Sequence, residues 1–172
     1  MRGQKSPRSK RPARKGTATR FRVIKQTVVV DASPSEVYEA YVDPEKHAAF
    51  TGTAVRGTPK VGEKFTAGDG YITGKYIELE PGRRILHDWT TTEWPAGYPP
   101  SVLELTFKPR GTRTELTMVH SKVPAEQAEY YAKGWKEHYW RPLKEYFARA
   151  HRDGQPHPAL TDDNDCDQLQ EP

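Results

Sequence analysis

His87 and His120 are the side chains of this sequence best suited to acid–base chemistry. In the segment RILHDWTT, strand alternation places His87 on the same face as Trp89, and in ELTMVHS the alternation turns His120 toward the same apolar side. A histidine with an ordinary pKa is the usual general acid or base near neutral pH. If the two histidines share one cavity, a His87–His120 pair beside Tyr38 or Tyr139 could support proton transfer.

The alternative is that each histidine is a partly buried residue whose ring is satisfied by a backbone carbonyl or another side chain; nothing in the spacing contradicts this interpretation, and we prefer it. Other chemistry has less support. The chain contains no G-x-S-x-G elbow and no glycine-rich phosphate loop, and its one cysteine, Cys166, lies in an acidic segment. His138, His151 and His157 lack the paired spacing that zinc requires. We therefore predict neither a metal site nor a cofactor. A protein without catalytic activity is the simpler explanation of the sequence.

An aromatic stripe runs through the C-terminal segment GWKEHYWRPLKEYF and the residues before it. Its spacing predicts one face of a long helix that continues with a kink through Pro142, because burying two large side chains behind a proline roughly offsets the proline's cost of about 3 kcal/mol. The stripe is interpreted as core and, compatibly, as the roof of an apolar cavity. It consists of Ala128, Tyr131, Trp135, Tyr139, Leu143 and Phe147.

The remaining elements place this helix against a sheet. FRVIKQTVVVD predicts a strand over 21–31, and SPSEVYEAYVD predicts a helix capped by Ser33 with Pro34 at its first position. PEKHAAF adds a second short helix, and the long helix is expected to open at VPAEQ, directly after Pro124. Alternating segments then predict an antiparallel meander near 54–57, 62–66, 70–80, 83–92, 101–109 and 112–122.

Composition separates the two ends from this body. Residues 1–20 carry eight of the 27 Lys and Arg without an acid, and residues 162–172 carry five of the 23 Asp and Glu without a base. Neither end has apolar periodicity, so we expect a disordered basic tail over 1–20, one domain over 21–150 and a flexible tail over 151–172. The basic tail suits nonspecific contact with polyanions. No apolar run is long enough for a signal peptide or a membrane span, so a cytoplasmic protein is expected.

Several motifs, taken in order, carry a family resemblance: SPSEVYEAYVDPEKHAAFTG, VGEKF, GDGYITGKYIELEPGRRILHDW, EWPAG, TRTELTMVHSKVP and the GW-x-x-x-YW helix. Residues 21–150 resemble the helix-grip domains of the START and birch-pollen-allergen-like (SRPBCC) superfamily, and within it the activator of heat-shock-protein ATPase homologue family. The resemblance implies an α+β fold in which a curved antiparallel sheet of about seven strands grips a long C-terminal helix. The eukaryotic co-chaperones of that family carry an additional N-terminal domain, where this sequence has its basic segment.

Three functional hypotheses follow. The first is a non-enzymatic protein that holds a hydrophobic small molecule between sheet and helix. The second is a co-chaperone that stimulates a heat-shock-protein ATPase through an exposed hairpin tip, TTTEWPAGYPPS, with Trp94 and Tyr98 as the partner surface. The third is a cavity enzyme, a cyclase, dehydratase or hydrolase, that uses His87 or His120. The predicted ligand-binding residues are Tyr38, Tyr41, His87, Trp89, Leu103, Leu105, Met118, His120, Trp135 and Tyr139.

Overall fold

The computed structural model describes residues 20–154. The basic segment before Arg20 lies outside the described residues, and so do His157 and the acidic segment with Cys166. The expectations about those segments, including polyanion contact, stay predictions.

One seven-stranded antiparallel sheet forms the body of the described domain, in the order β1-β7-β6-β5-β4-β3-β2. The alternating segments form the predicted antiparallel meander, and its last strand, β7, also pairs with β1. Gly82 and Gly111 have positive φ angles of 70° and 63° in the β4–β5 and β6–β7 turns, which glycine adopts without steric cost. The strands are β1 (Phe21–Val30), β2 (Arg56–Gly57), β3 (Lys64–Ala67), β4 (Ile72–Glu80), β5 (Arg84–Thr91), β6 (Ser101–Arg110) and β7 (Arg113–Pro124).

Two short helices follow β1, as the capping signals predicted. Helix α1 (Pro34–Val42) begins with a complete capping box. The Ser33 side chain accepts a hydrogen bond from the backbone N–H of Glu36, and the Glu36 side chain accepts one from the backbone N–H of Ser33. Helix α2 (Pro44–Thr51) is capped at its start by the Asp43 carboxylate. It ends before Gly52, whose backbone adopts the left-handed conformation. Asp43 ends α1 and caps α2, so the two helices follow each other directly; α1 packs against β6 and β7, and α2 packs against the C-terminal helix.

The C-terminal helix is continuous through Pro142, but it is not a regular α-helix. It consists of α3 (Ala128–Trp135), a π-helical turn (Lys136–Trp140) and α4 (Arg141–Asp153). The N–H of Arg141 donates to the carbonyl of Lys136, five residues back. The backbone is therefore already widened where Pro142, which has no N–H and crowds the carbonyl of His138 four residues back, joins the helix.

The π-helical turn also explains how the aromatic stripe stays in phase. Four consecutive steps of four residues lead from Tyr131 to Phe147, and in a regular α-helix each such step overshoots a full turn by about 40°. Taking up one extra residue in a wider turn removes about 100° of that drift. All six residues of the predicted stripe are buried, so the stripe is confirmed as one face of the core.

The predicted inward faces of the central strands are confirmed. On β5 the exposure alternates residue by residue, with Ile85, His87 and Trp89 buried, and β6 and β7 follow the same pattern. The predicted start of the long helix is wrong by a few residues. Pro124 is buried at the end of β7, and a turn separates it from Ala128, where the helix begins. A proline closes a strand as readily as it precedes a helix, because both positions tolerate the missing N–H.

Candidate functional site

A cavity of about 300 Å³ opens beneath the first half of the C-terminal helix. Its floor is the inner face of the sheet at Ile72 and Trp89, and its roof is the helix from Tyr130 to Tyr139. The end of α2 and the β3–β4 turn close its sides. The volume lies at the lower end of the range for small-molecule pockets. The lining residues are Thr51, Thr53, Gly68, Tyr71, Ile72, Trp89, Tyr130, Tyr131, Lys133, Gly134, Trp135, Glu137, His138 and Tyr139.

Three of the ten predicted ligand-binding residues line this cavity: Trp89, Trp135 and Tyr139. The other seven are buried elsewhere in the core, away from its walls. These seven are Tyr38, Tyr41, His87, Leu103, Leu105, Met118 and His120. Ligand contact by any of the ten residues stays a prediction. Of the ten, only the three aromatic residues on the cavity wall are placed to make such a contact.

Two buried histidines, His47 and His87, form hydrogen bonds with tyrosines below the roof of the cavity. His87 Nδ1 lies 2.7 Å from the backbone oxygen of Asp88, and because a carbonyl only accepts, this nitrogen carries the proton. The Tyr41 hydroxyl then donates to His87 Nε2 at 3.0 Å. His47 repeats the arrangement, with Nδ1 donating to the Tyr41 carbonyl at 2.9 Å and Nε2 accepting from the Tyr139 hydroxyl at 3.3 Å.

His120 has the opposite tautomer. The indole N–H of Trp135 donates to its Nδ1 at 3.2 Å, so Nε2 carries the proton and donates to the Ser101 hydroxyl at 2.8 Å. Ser101 in turn donates to the carbonyl of Trp89 at 2.7 Å. Both nitrogens of all three histidines are therefore occupied. Among residues 20–154, no buried side-chain N or O atom lacks a partner.

Burial makes these histidines neutral. Desolvation lowers the pKa of His47 and His87 to about 4 and that of His120 to about 3, since the charged form loses its hydration. Burial also raises the pKa of the Tyr41 and Tyr139 hydroxyls. A general acid or base works best with a pKa near the operating pH. The arrangement is thus that of a satisfied core, the second of the two interpretations that the sequence left open.

Gly134 lies at the roof of the cavity, in the interior of α3. A Cβ added at this position would meet only one outside atom within 4 Å, Cδ2 of His138 at 4.0 Å. The rim near it carries Lys133 and Glu137, whose side chains are 3.8 Å apart. The roof is therefore thin at Gly134 and polar at its edge.

The predicted exposure of the β5–β6 loop aromatics is wrong, because Trp94 and Tyr98 are both half-buried. Trp94 stacks on Tyr131 with ring centroids 6.0 Å apart, and its indole N–H donates to the carbonyl of Pro99. Tyr98 lies under the Arg20 guanidinium, 3.9 Å from the ring centroid. These aromatic rings fasten the loop to the domain. Their role as a partner surface stays a prediction.

Sequence reasoning missed His47 and most of the cavity wall. His47 is buried by its ring stacking with Phe50, three residues later on α2, and this i, i+3 pair was a readable signal. Gly134 was also readable as a glycine inside a strong helical pattern. Tyr71 and Ile72 lie far along the chain from the helix residues that share the wall with them, a proximity that no local pattern encodes.

Within residues 20–154, no three His, Cys, Asp or Glu side chains come together in a group that could hold a metal ion. Over the same residues, no helix has both the length and the apolar character needed to cross a bilayer.

Comparison with known proteins relates this architecture to curated relatives. The chain is 32% identical over 115 residues to the Activator of 90 kDa heat shock protein ATPase homolog 1 of Mus musculus, and 31% identical to the Homo sapiens protein of the same name. Each match covers 67% of this chain and 34% of the relative. The chain thus matches about a third of the length of these relatives.

Solved structures share the fold at lower identity. An HSP90 activator from Plasmodium falciparum superposes with a TM-score of 0.68 at 20% identity, covering 73% of this chain and 96% of that one. The Aha1 dimer from Colwellia psychrerythraea gives a TM-score of 0.63 at 15% identity, covering 73% and 95%. Residues 31–148 fit the family described as Activator of Hsp90 ATPase homolog 1-like protein. The chain belongs to that family and has its helix-grip fold.

Proposed function

We propose that this domain binds a hydrophobic small molecule in the cavity under the C-terminal helix and does not transform it. The observation that carries the proposal is the aromatic-walled space of about 300 Å³ between the sheet and the helix. Such a pocket, apolar with a few polar groups at its rim, is typical of small-molecule sites. The cavity wall also includes three residues that the sequence predicted as ligand contacts, namely Trp89, Trp135 and Tyr139.

The histidine geometry supports binding over catalysis. His87 and His120 lie off the cavity wall, each with both ring nitrogens engaged and a pKa lowered by burial. To act on a ligand, either ring would have to break a buried hydrogen bond, at a cost of about 1–3 kcal/mol for the group left unpaired. The cavity-enzyme hypothesis therefore has the weaker support of the two.

Native mass spectrometry of the full chain, purified from its own host, tests this function. We expect a small molecule to travel with the folded protein and to separate from it under denaturing conditions. Thr53→Trp should remove this extra mass, because the half-buried Thr53 lines the cavity. Val61→Trp, at an exposed position away from the cavity, should keep it. A protein that is empty in every form, and that also fails to bind apolar probes, would contradict the proposal.

A second candidate function is activation of an Hsp90-type ATPase, and the names of the curated relatives support it. On this hypothesis the β5–β6 loop, held by Trp94 and Tyr98, faces the chaperone. Its exposed residues Glu93, Ala96 and Gly97 stand beside the half-buried rings. For either function we propose the cytoplasm as the compartment.

The chaperone hypothesis is tested by measuring ATP hydrolysis of the host's Hsp90-type chaperone with and without this protein. We expect stimulation that is reduced by Tyr98→Ala and Trp94→Ala and retained by Tyr130→Ala, an exposed aromatic outside the loop. The cavity variant Thr53→Trp should also retain it, which separates this function from ligand binding. Unchanged hydrolysis with the wild-type protein would contradict the hypothesis.

A further inference from the structure

Gly134 occupies a helical position that does not require glycine for packing. In a helix interior, glycine is less favourable than alanine by about 1 kcal/mol. The usual compensation is a close contact, as at Gly74, where an added Cβ would lie 2.5 Å from both the Phe65 ring and the Asp88 carbonyl oxygen. At Gly134 no such neighbour exists, since the nearest atom is 4.0 Å away. The missing side chain leaves space, and that space belongs to the cavity.

The cavity wall is aromatic rather than aliphatic. Trp89 meets Tyr131 edge to face with centroids 4.9 Å apart, and Trp135 lies 4.5 Å from Tyr139 at an angle of 51°. Among the lining residues, Ile72 is the one large aliphatic side chain. Aromatic walls reward a flat ligand through stacking and edge-to-face contact, by about 0.5–1.5 kcal/mol per ring pair beyond the buried area.

From these observations we infer that the ligand is a planar aromatic ring system and that Gly134 determines this specificity by leaving a slot for the ring beneath the helix backbone. The inference rests on the proposed ligand-binding function and names the class of ligand. Size agrees with two fused rings. A cavity of about 150 Å³ holds one benzene ring, and this cavity has about 300 Å³.

Equilibrium dialysis with two ten-carbon alcohols tests the ligand class. The probes are 2-naphthol, which is flat and aromatic, and 1-decanol, which is a flexible alkyl chain with more CH₂ groups to bury. We expect 2-naphthol to bind about tenfold more tightly, which corresponds to one or two favourable ring contacts. Because the alkyl alcohol is the more hydrophobic of the two, general apolar binding would give the opposite order.

Variants at Gly134 test the slot. Gly134→Leu should weaken 2-naphthol binding by more than about tenfold, because the leucine side chain fills space that the ring would occupy. Gly134→Ala should have a smaller effect. The matched control is Lys136→Leu, which adds a leucine at an exposed position of the same helix outside the cavity wall. Circular dichroism melting should show that all three variants fold.

The outcomes separate the inference from the function beneath it. Tighter binding of 1-decanol would overturn the aromatic class and leave the binding function standing. Unchanged 2-naphthol affinity in Gly134→Leu would overturn the role of Gly134. Failure of the wild-type protein to bind either alcohol would overturn this inference, and the proposed function would fail with it only if the protein purified from its host also carries no small molecule.

Discussion

The interior of this domain has two parts that use the same kinds of side chain in opposite ways. In the histidine network, formed by Tyr41, His47, His87, Ser101 and His120, every polar atom has a partner within the protein. In the cavity, tyrosine and tryptophan rings supply six of the fourteen lining residues, and the space between the walls is open. Trp135 and Tyr139 belong to both, because each donates a hydrogen bond into the network and turns its ring toward the cavity.

The difference shows that residue type does not distinguish a functional pocket from a core. His87 and His120 have the chemistry of catalytic residues, yet the fold uses that chemistry to satisfy buried hydrogen bonds. Gly134 has no chemistry of its own, yet it leaves open space at the cavity roof, where we propose that a ligand binds. The network therefore should respond to pH and to loss of a hydroxyl, whereas the cavity should respond to added volume.

Acidification should produce the largest effect, and it acts on the network. The folded-state pKa values of His47, His87 and His120, about 4, 4 and 3, lie below the unfolded value of about 6.5. As the pH falls below 6.5 the unfolded chain takes up protons first, so stability is complete above that pH and is lost toward pH 4. Between pH 7 and pH 5 we expect a loss of about 1–2 kcal/mol for each histidine, measured by urea unfolding.

The control for the acid experiment is His138→Gln. His138 is exposed on the helix, so this variant should keep the same slope of unfolding free energy against pH. A free energy that stays flat from pH 7 to pH 5 would show that the buried histidines do not titrate as the geometry requires.

Removing one hydroxyl from the network should have an intermediate effect. Tyr41→Phe leaves His87 Nε2 without its donor in a site where both residues are buried. We expect a loss of about 1–3 kcal/mol in the free energy of unfolding, measured by chemical denaturation at pH 7. Tyr130→Phe is the control, since Tyr130 is 64% exposed. Equal stability of Tyr41→Phe and wild type would indicate that water replaces the lost donor.

The smallest effect should have the opposite sign and occur at the cavity. Gly134→Ala should raise the free energy of unfolding by about 1 kcal/mol, because alanine is the better helix former and its Cβ meets no atom closer than 4.0 Å. Thermal unfolding measures the change. Destabilisation would mean that the backbone at Gly134 needs glycine for close packing, and the contrast between a closed network and an open cavity would then fail.

Much of the architecture could be predicted from local patterns. The capping box at Ser33, the alternation around His87 and the aromatic stripe ending at Phe147 are signals carried by neighbouring residues, and each is confirmed. The site was predicted less completely. Burial of His87 and His120 followed from alternation, but alternation does not tell a satisfied core from a pocket. The prediction that Trp94 is exposed was wrong, because its packing partner, Tyr131, lies far away in the sequence.

The α+β order, the inward faces of the strands and the helix face that packs on the sheet are encoded locally in the chain. Those features follow from period, capping and turn residues, which act within a few positions of the chain. Which aromatic rings pack on one another, and where they leave a cavity, is set by how distant elements come together. That outcome depends on contacts between residues such as His47 and Tyr139, 92 positions apart, and on a π-helical turn that sets the angle of each ring on the helix.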